Sequence, residues 1–257
     1  MAKVFLSAGH GGSDPGAVSY GLKEKDINLQ ALLACRDELE RHGVTVVCSR
    51  VKDEDDPVTD EVKEANACNA DIAVSFHANA GGGDGFEAYY WTGDANGKRL
   101  AQLGEKYMKQ LGQNSRGIKS GNHLWFVKAT KMTAVLFESF FVDNDTDNNI
   151  GDTVAEQKAF GVAYAKAILE YLGVSYQENT GNTTQPSQPI GGTFLVKVLC
   201  DLNIRSGPGV SNKLVGTITD KGTYTIVETR YVGTVPWGRL KSGAGWISIH
   251  EKYVKRV

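Results

Sequence analysis

The sequence predicts an α/β fold, a mostly parallel twisted sheet with helices on both faces, followed by a small all-β barrel. Three observations carry this expectation. Strand-like and helix-like segments alternate through residues 1–173, the pattern of parallel strands joined by crossover helices. Three apolar runs, KVFLSAGH, DIAVSFHAN and TAVLFES, read as strands buried on both faces. Beyond residue 192 no segment has helical periodicity, and short alternating runs are separated by Gly, Pro and Ser.

Lys3 to Ser7 is the first strand. Ile27 to Arg41 places Leu29, Leu32, Leu33 and Leu39 at helical spacing and stops at Gly43. Val44 to Cys48 reads as a strand, Val58 to Cys68 as a helix, and Ile72 to His77 and Phe86 to Trp91 as strands. Lys98 to Leu111 is a helix ended by Gly112, and His123 to Val127 and Ala134 to Glu138 are strands. Thr153 to Leu172 is a long amphipathic helix ended by Gly173. Residues 174–192, VSYQENTGNTTQPSQPIGG, have almost nothing to bury and read as a linker. The expected domains are therefore 1–173 and 193–257, the latter with five to seven strands in FLVKVLC, LNIRSGPG, KLVGTIT, TYTIVETR, WGRL, GWISIH and YVKRV.

Composition agrees with that division. The 257 residues are 41% hydrophobic and 23% charged, enough for one full domain and a smaller one. Apolar stretches fall far short of a membrane span, so no membrane insertion is expected. Met-Ala-Lys-Val-Phe leads straight into a strand, so no secretory signal is expected either. Cys35, Cys48, Cys68 and Cys200 are widely spaced and form no CxxC pair, and they read as buried free thiols. The net charge of −2 is uneven. Residues 193–257 carry ten Lys or Arg against four Asp or Glu, a net of +6, and residues 1–192 carry eighteen against twenty-six, a net of −8. A basic C-terminal module fits a polyanionic partner, a wall polymer or nucleic acid, and equally a merely solvated basic face.

The three apolar runs end on chemistry: His10, His77 and Glu138. In open α/β sheets ligands bind outside the carboxyl ends of the strands, so two imidazoles and a carboxylate are expected at one sheet edge. That is the layout of a metal-dependent hydrolase. Catalytic zinc takes three protein ligands and keeps an open position, and His10 and His77 supply two. Glu24, at the start of the helix after the Gly-rich loop GGSDPGAVSYGLKEKD, leads for the third, with Asp14 and Asp26 as competitors. Glu138 lies among Val135, Leu136, Phe137, Phe140 and Phe141. Such surroundings raise a carboxyl pKa and suit a general base; a buried salt bridge is the alternative. His42 reads as a partner of a helix C-terminus, His250 as structural, and His123 as able to approach substrate.

The blocks AGHGGSDPGA, GLKEKDINL, ANACNADIAVSFHANA, SRGIKSGNHLWFV and AVLFESFFVDNDTD, in this order and spacing, resemble the zinc-dependent N-acetylmuramoyl-L-alanine amidases of bacterial wall turnover, sporulation and phage lysis. The resemblance implies one zinc ion held by His10, Glu24 and His77, with Glu138 as catalytic glutamate. It implies hydrolysis of the amide between N-acetylmuramic acid and L-alanine of the stem peptide, through zinc-activated water. Asn79, His123 and Arg116 are expected to contact substrate or to orient the ligands. The chain departs from the family pattern in three places: Ser7-Ala8 stand where Asp-Pro is usual, Thr133 where Pro is frequent, and Glu61 where an Arg is common. The blocks LNIRSGPGVSNKLVGTITDKGTYTIVE and GWISIHEKYV resemble bacterial SH3 domains, which implies an SH3-like barrel that binds cell wall. Tyr231, Trp237 and Tyr253 are its expected exposed aromatics, and Trp246 is expected in its core.

The leading expectation is a phage or prophage endolysin, made in the bacterial cytoplasm without a signal peptide and released through a holin-made lesion to act on peptidoglycan. A host autolytic or sporulation amidase, and a zinc peptidase cutting within the stem peptide, are alternatives of the same chemistry. A wall-binding scaffold with a dead catalytic domain would have lost a ligand or Glu138, and neither is lost. Nucleic-acid binding by the basic barrel would require salt-sensitive affinity for DNA or RNA, and no nucleic-acid partner is expected.

Overall fold

The structure, a computed structural model, describes residues 2–178, 193–210, 212–232 and 235–257. The chain begins with β1 (Lys3–Ala8), the short pair β2 (Val18–Ser19) and β3 (Leu22–Lys23), α1 (Glu24–Arg41), β4 (Thr45–Cys48), α2 (Val58–Ala67) and β5 (Ile72–Asn79). It continues through β6 (Phe86–Tyr90), α3 (Ala95–Leu111), β7 (Ser115–Ser120), α4 (Trp125–Ala129), β8 (Thr133–Phe141), α5 (Asp145–Gly151) and α6 (Val154–Leu172).

Six of these strands form one sheet in the order β4-β1-β5-β8-β6-β7. Strands β1, β5 and β8 are its centre, which is why their sequences are apolar on both faces. Four of the five pairings are parallel, and β6 runs antiparallel to β8, so the sheet is mixed. The reason is the connection. Residues 80–85 are too few for the crossover that a parallel return requires, so the chain turns back on itself. One face packs Leu6, Val74, Phe76 and Phe137 against α1, α3 and α6, and the other packs Phe5 and Ala73 against α2 and α4. Helices thus flank both faces.

Helices α1 and α6 approach closely at Gly161. A Cβ added there would lie 2.1 Å from the Ala31 carbonyl oxygen and 2.9 Å from Ala34 Cβ. Gly161→Ala gains about 1 kcal/mol of helix propensity. Overpacking against an immobile backbone costs about 1–3 kcal/mol, and here it exceeds that gain. We expect a melting temperature lower by a few degrees; an unchanged or raised value in a thermal melt contradicts this packing.

Several sequence expectations change. His123–Val127 is not a strand: a turn leads into α4, whose Phe126 and Val127 are buried while Trp125 is exposed. Four apolar residues, Leu124 to Val127, cannot separate one helical turn from a short strand. The edge strand β7 and the short helix α5, capped by the Asn144 side chain, were not anticipated. Of the four thiols, all free, only Cys35 is fully buried, and the others are half-buried.

The contacts divide the chain into one unit at Met1–Gln177 and a second at Glu178–Val257. Of the expected linker, residues 179–192 lie outside the described residues. Val174 and Tyr176 pack against the first core, and Tyr176 stacks on His42 with ring centroids 4.9 Å apart. The second unit holds β9 (Phe194–Val198), β10 (Leu202–Arg205), β11 (Leu214–Ile218), β12 (Thr223–Val232), β13 (Val235–Leu240), β14 (Trp246–Ser248) and β15 (Val254–Arg256). They form an antiparallel sheet in the order β11-β10-β14-β13-β12-β9-β15 around Val196, Val198, Ile226, Leu240 and Ile247. Trp237 and Tyr253, expected at the surface, are each only 4% exposed. A module this small spends its large aromatics on its interior. Trp246 is buried as expected, and Tyr231 is half-exposed beside a groove of about 320 Å³. No described helix is long and apolar enough to cross a membrane.

Candidate metal centre

Three elements deliver three ligand-type side chains to the carboxyl edge of the sheet. His10 follows the end of β1 with φ 65°, a left-handed conformation that turns its ring back over the strand ends. Glu24 is the first residue of α1, and its side chain is 6% exposed. His77 stands near the end of β5. Glu24 Oε1 lies 2.9 Å from His77 Nδ1, and Glu24 Oε2 lies 3.3 Å from His10 Nε2. One ligand atom from each residue falls within 4.8 Å of the others, a group able to hold a metal ion. The competitors separate by position. Asp14 Oδ2 meets His10 Nδ1 at 2.8 Å and so orients that ring, and Asp26 is exposed on α1 and outside the group.

Glycines make this approach possible. A Cβ on Gly9 would lie 2.1 Å from His77 Cε1, and one on Gly16 would lie 2.6 Å from Glu24 Oε2 and 2.7 Å from His10 Cδ2. Arg50, which the sequence reading overlooked, is buried and donates from Nε to the Ala8 carbonyl (2.9 Å) and from Nη2 to the Lys25 carbonyl (2.7 Å). It ties the backbone just before His10 to that just after Glu24.

The electrostatics fit a cation at this point. The hydrogen bond to Glu24, opposed by burial, pushes the His10 pKa up to about 9. Burial would raise Glu24, but the hydrogen bonds with His10 and His77 hold it far below the usual carboxylate range. Burial disfavours a charged His77, yet the Glu24 bond and the Glu138 charge raise its pKa as well. The buried Glu24 carboxylate thus favours positive charge between the two imidazoles, which a divalent cation can supply. Two imidazoles and one carboxylate are a donor set that suits zinc.

Glu138 lies on β8 directly beside His77 in the parallel register. Its Oε2 is shielded from solvent and has no hydrogen-bond partner among the described residues. Burial, reinforced by Glu24 and Glu87 and opposed by the His77 charge, pushes its pKa up to about 7. No Lys or Arg pairs with it among the described residues. The structure thus brings His10, Glu24, His77 and Glu138 together.

The remaining candidates lie farther along the same edge. Asn79 donates to Glu87 Oε2 at 3.3 Å and makes no hydrogen bond to His77 among the described residues. Arg116 donates to Glu87 Oε1, and the exposed His123 meets Tyr89 edge-on with centroids 5.9 Å apart. Glu87 was missed although FEAYY offers the same signal as the Glu138 run, a carboxylate inside an apolar strand. His42 caps α1 and accepts from the Gln177 N–H, and His250 is half-buried against Tyr253, both structural.

The sequence profile of the N-acetylmuramoyl-L-alanine amidase family matches residues 4–170. The chain is 37% identical to the sporulation-specific N-acetylmuramoyl-L-alanine amidase of Bacillus subtilis, over 70% of this chain and 72% of that protein. It is 32% identical to the endolysin of Bacillus phage SPP1, over 98% of this chain and 97% of that protein. It is 40% identical to the amidase CwlM of Bacillus licheniformis over 57% of this chain, a match that spans only 59% of that protein's length. The catalytic domain of CwlV from Bacillus (Paenibacillus) polymyxa superposes with a TM-score of 0.63 at 32% identity, covering 68% of this chain and all of that one. On these matches and this fold, the chain belongs to the N-acetylmuramoyl-L-alanine amidase family of peptidoglycan-cleaving enzymes.

Proposed function

We propose that the chain hydrolyses the amide between the lactyl group of N-acetylmuramic acid and L-alanine of the stem peptide, with His10, Glu24 and His77 holding one zinc ion. The observation that carries this reading is the adjacency of a His/Glu/His group to Glu138, whose shielded Oε2 has no hydrogen-bond partner among the described residues. Zinc, when bound, supplies Lewis-acid polarisation of the scissile carbonyl. Glu138, with a pKa near neutrality, takes the proton from the attacking water and returns it to the departing alanine nitrogen. Asp14 fixes the His10 ring, and Arg50 fixes the spacing between the His10 and Glu24 segments. Hydrolysis of a soluble muramoyl peptide is expected to stop on chelation and to return with one equivalent of zinc per chain; full activity after exhaustive chelation contradicts the reading.

Within this class we infer an endolysin. The SPP1 endolysin matches along the whole chain, whereas the sporulation amidase and CwlM match 70% and 57% of it. With it we propose catalysis in residues 1–173 and wall binding by an SH3-like module in the basic residues 193–257. The full chain is expected to sediment with purified walls, and a chain lacking 193–257 is expected to lose at least tenfold in binding. Equal sedimentation of the two contradicts the assignment.

A further inference from the structure

The sheet edge continues past Glu138 as a row of charged side chains. Its neighbour across the antiparallel β6–β8 pair is Glu87, and beyond Glu87 lies β7, with Arg116 and Lys119. Because β6 runs opposite to β8, its second residue lands at the same edge as the functional end of β8. Glu87 is only 3% exposed and is encircled by donors. Its Oε1 accepts from Arg116 Nε and Lys119 Nζ, both at 2.5 Å. Its Oε2 accepts from Tyr89 Oη at 2.6 Å and Asn79 Nδ2 at 3.3 Å. Burial opposes its charge, but these donors hold the carboxyl below its ordinary pKa, so it stays an anion.

One carboxylate therefore fixes two cations and leaves a positive surplus. The Arg116 side chain is 45% exposed and lies over the Phe141 ring at 5.3 Å, and Lys119 is 35% exposed. The Arg116 terminal amino groups and the remaining Lys119 protons have no protein partner among the described residues. They stand two strands from Glu138, about 10 Å at the usual strand spacing. An extended peptide covers that distance in about three residues.

We propose that Arg116 and Lys119, positioned by Glu87, form an anion subsite that selects acidic stem peptides through a carboxylate two or three residues from the cleaved amide. The carboxylate must come from the peptide side, because the muramic acid carboxyl is consumed in the amide itself. The proposal rests on the amidase reading above. Glu87 is a positioning residue: it touches no substrate and holds both cations in register, one through a fixed guanidinium edge and one through a short ammonium contact.

The test uses the full-length, zinc-loaded protein and two soluble substrates, an N-acetylmuramoyl-L-alanyl peptide with carboxylates on its second and third residues and its carboxamide counterpart. The wild type is expected to prefer the acidic peptide by about tenfold or more in kcat/KM, the worth of one charge-assisted hydrogen bond, and to express that preference in KM. Arg116→Gln, Lys119→Gln and Glu87→Gln are expected to reduce the ratio to about twofold or less. Lys119→Arg, which keeps the charge, is expected to preserve it, and this separates charge recognition from damage to the fold. Equal use of both peptides by the wild type overturns the inference, as does a wild-type ratio in the three Gln variants. If neither peptide is cut at the muramoyl–alanine bond, the amidase reading falls and takes the inference with it; cleavage without preference overturns the inference alone.

Discussion

Glu138→Gln is expected to lower kcat by about 10²–10⁴-fold, the usual worth of a positioned general base, with zinc content unchanged. Glutamine keeps the shape and one acceptor but cannot take a proton. Because Glu138 stands beside the ligand group and not within it, metal retention is the control: a variant that loses zinc shows a structural fault, and a variant that keeps both zinc and full activity refutes the assignment. The same substitution has a second, opposite consequence for stability. Glu138 in the metal-free fold titrates near 7, above an ordinary glutamate at 4.5. Between those values the native state holds a proton that the unfolded chain has released, so stability falls as pH rises through this window. Above it the buried carboxylate is a standing penalty. In chelated protein, Glu138→Gln is therefore expected to raise the melting temperature relative to wild type more at pH 8 than at pH 5. An equal difference at the two pH values contradicts the burial of this charge.

Glu24→Ala is expected to abolish stable zinc retention and activity together. Its carboxylate meets both imidazoles and also accepts from the Ala17 and Ala78 amides, so it joins the Gly-rich loop, α1 and β5 at one point. Removing an outer partner of a metal ligand costs about 10–100-fold in affinity, and removing a direct ligand exceeds that. Dialysis against a competing chelator followed by metal analysis reads the outcome. Zinc retained at wild-type affinity in Glu24→Ala returns the third ligand to Asp14. Asp14→Ala, by contrast, is expected to weaken retention within the outer-partner range, since Asp14 touches only His10 among the ligands.

What the sequence made legible follows from burial. Strands β1, β5 and β8 announce themselves because both their faces are covered, and the residues that end those runs, His10, His77 and Glu138, are visible as exceptions in apolar surroundings. Glu24 lay within reach only through the Gly-rich loop and the resemblance, because nothing local shows that a helix start will fold back onto two strand ends. The edge strand β7, SRGIKS, carries polar residues and a glycine at φ 89°, so it has no apolar signature. The reversal of β6 is set by the short connection at residues 80–85 and not by its own residues. That reversal places Glu87 beside Glu138, and with it the Arg116–Lys119 pair, so this part of the edge emerges only from the tertiary pairing.

End-group analysis of purified peptidoglycan digested with the 257-residue protein reads directly which bond is cut. New amino termini are expected to appear and to be L-alanine, with stem peptides released intact from glycan strands of unchanged length. New amino termini within the stem peptide, new reducing sugar ends, or walls dissolved without a free N-terminal alanine would contradict it.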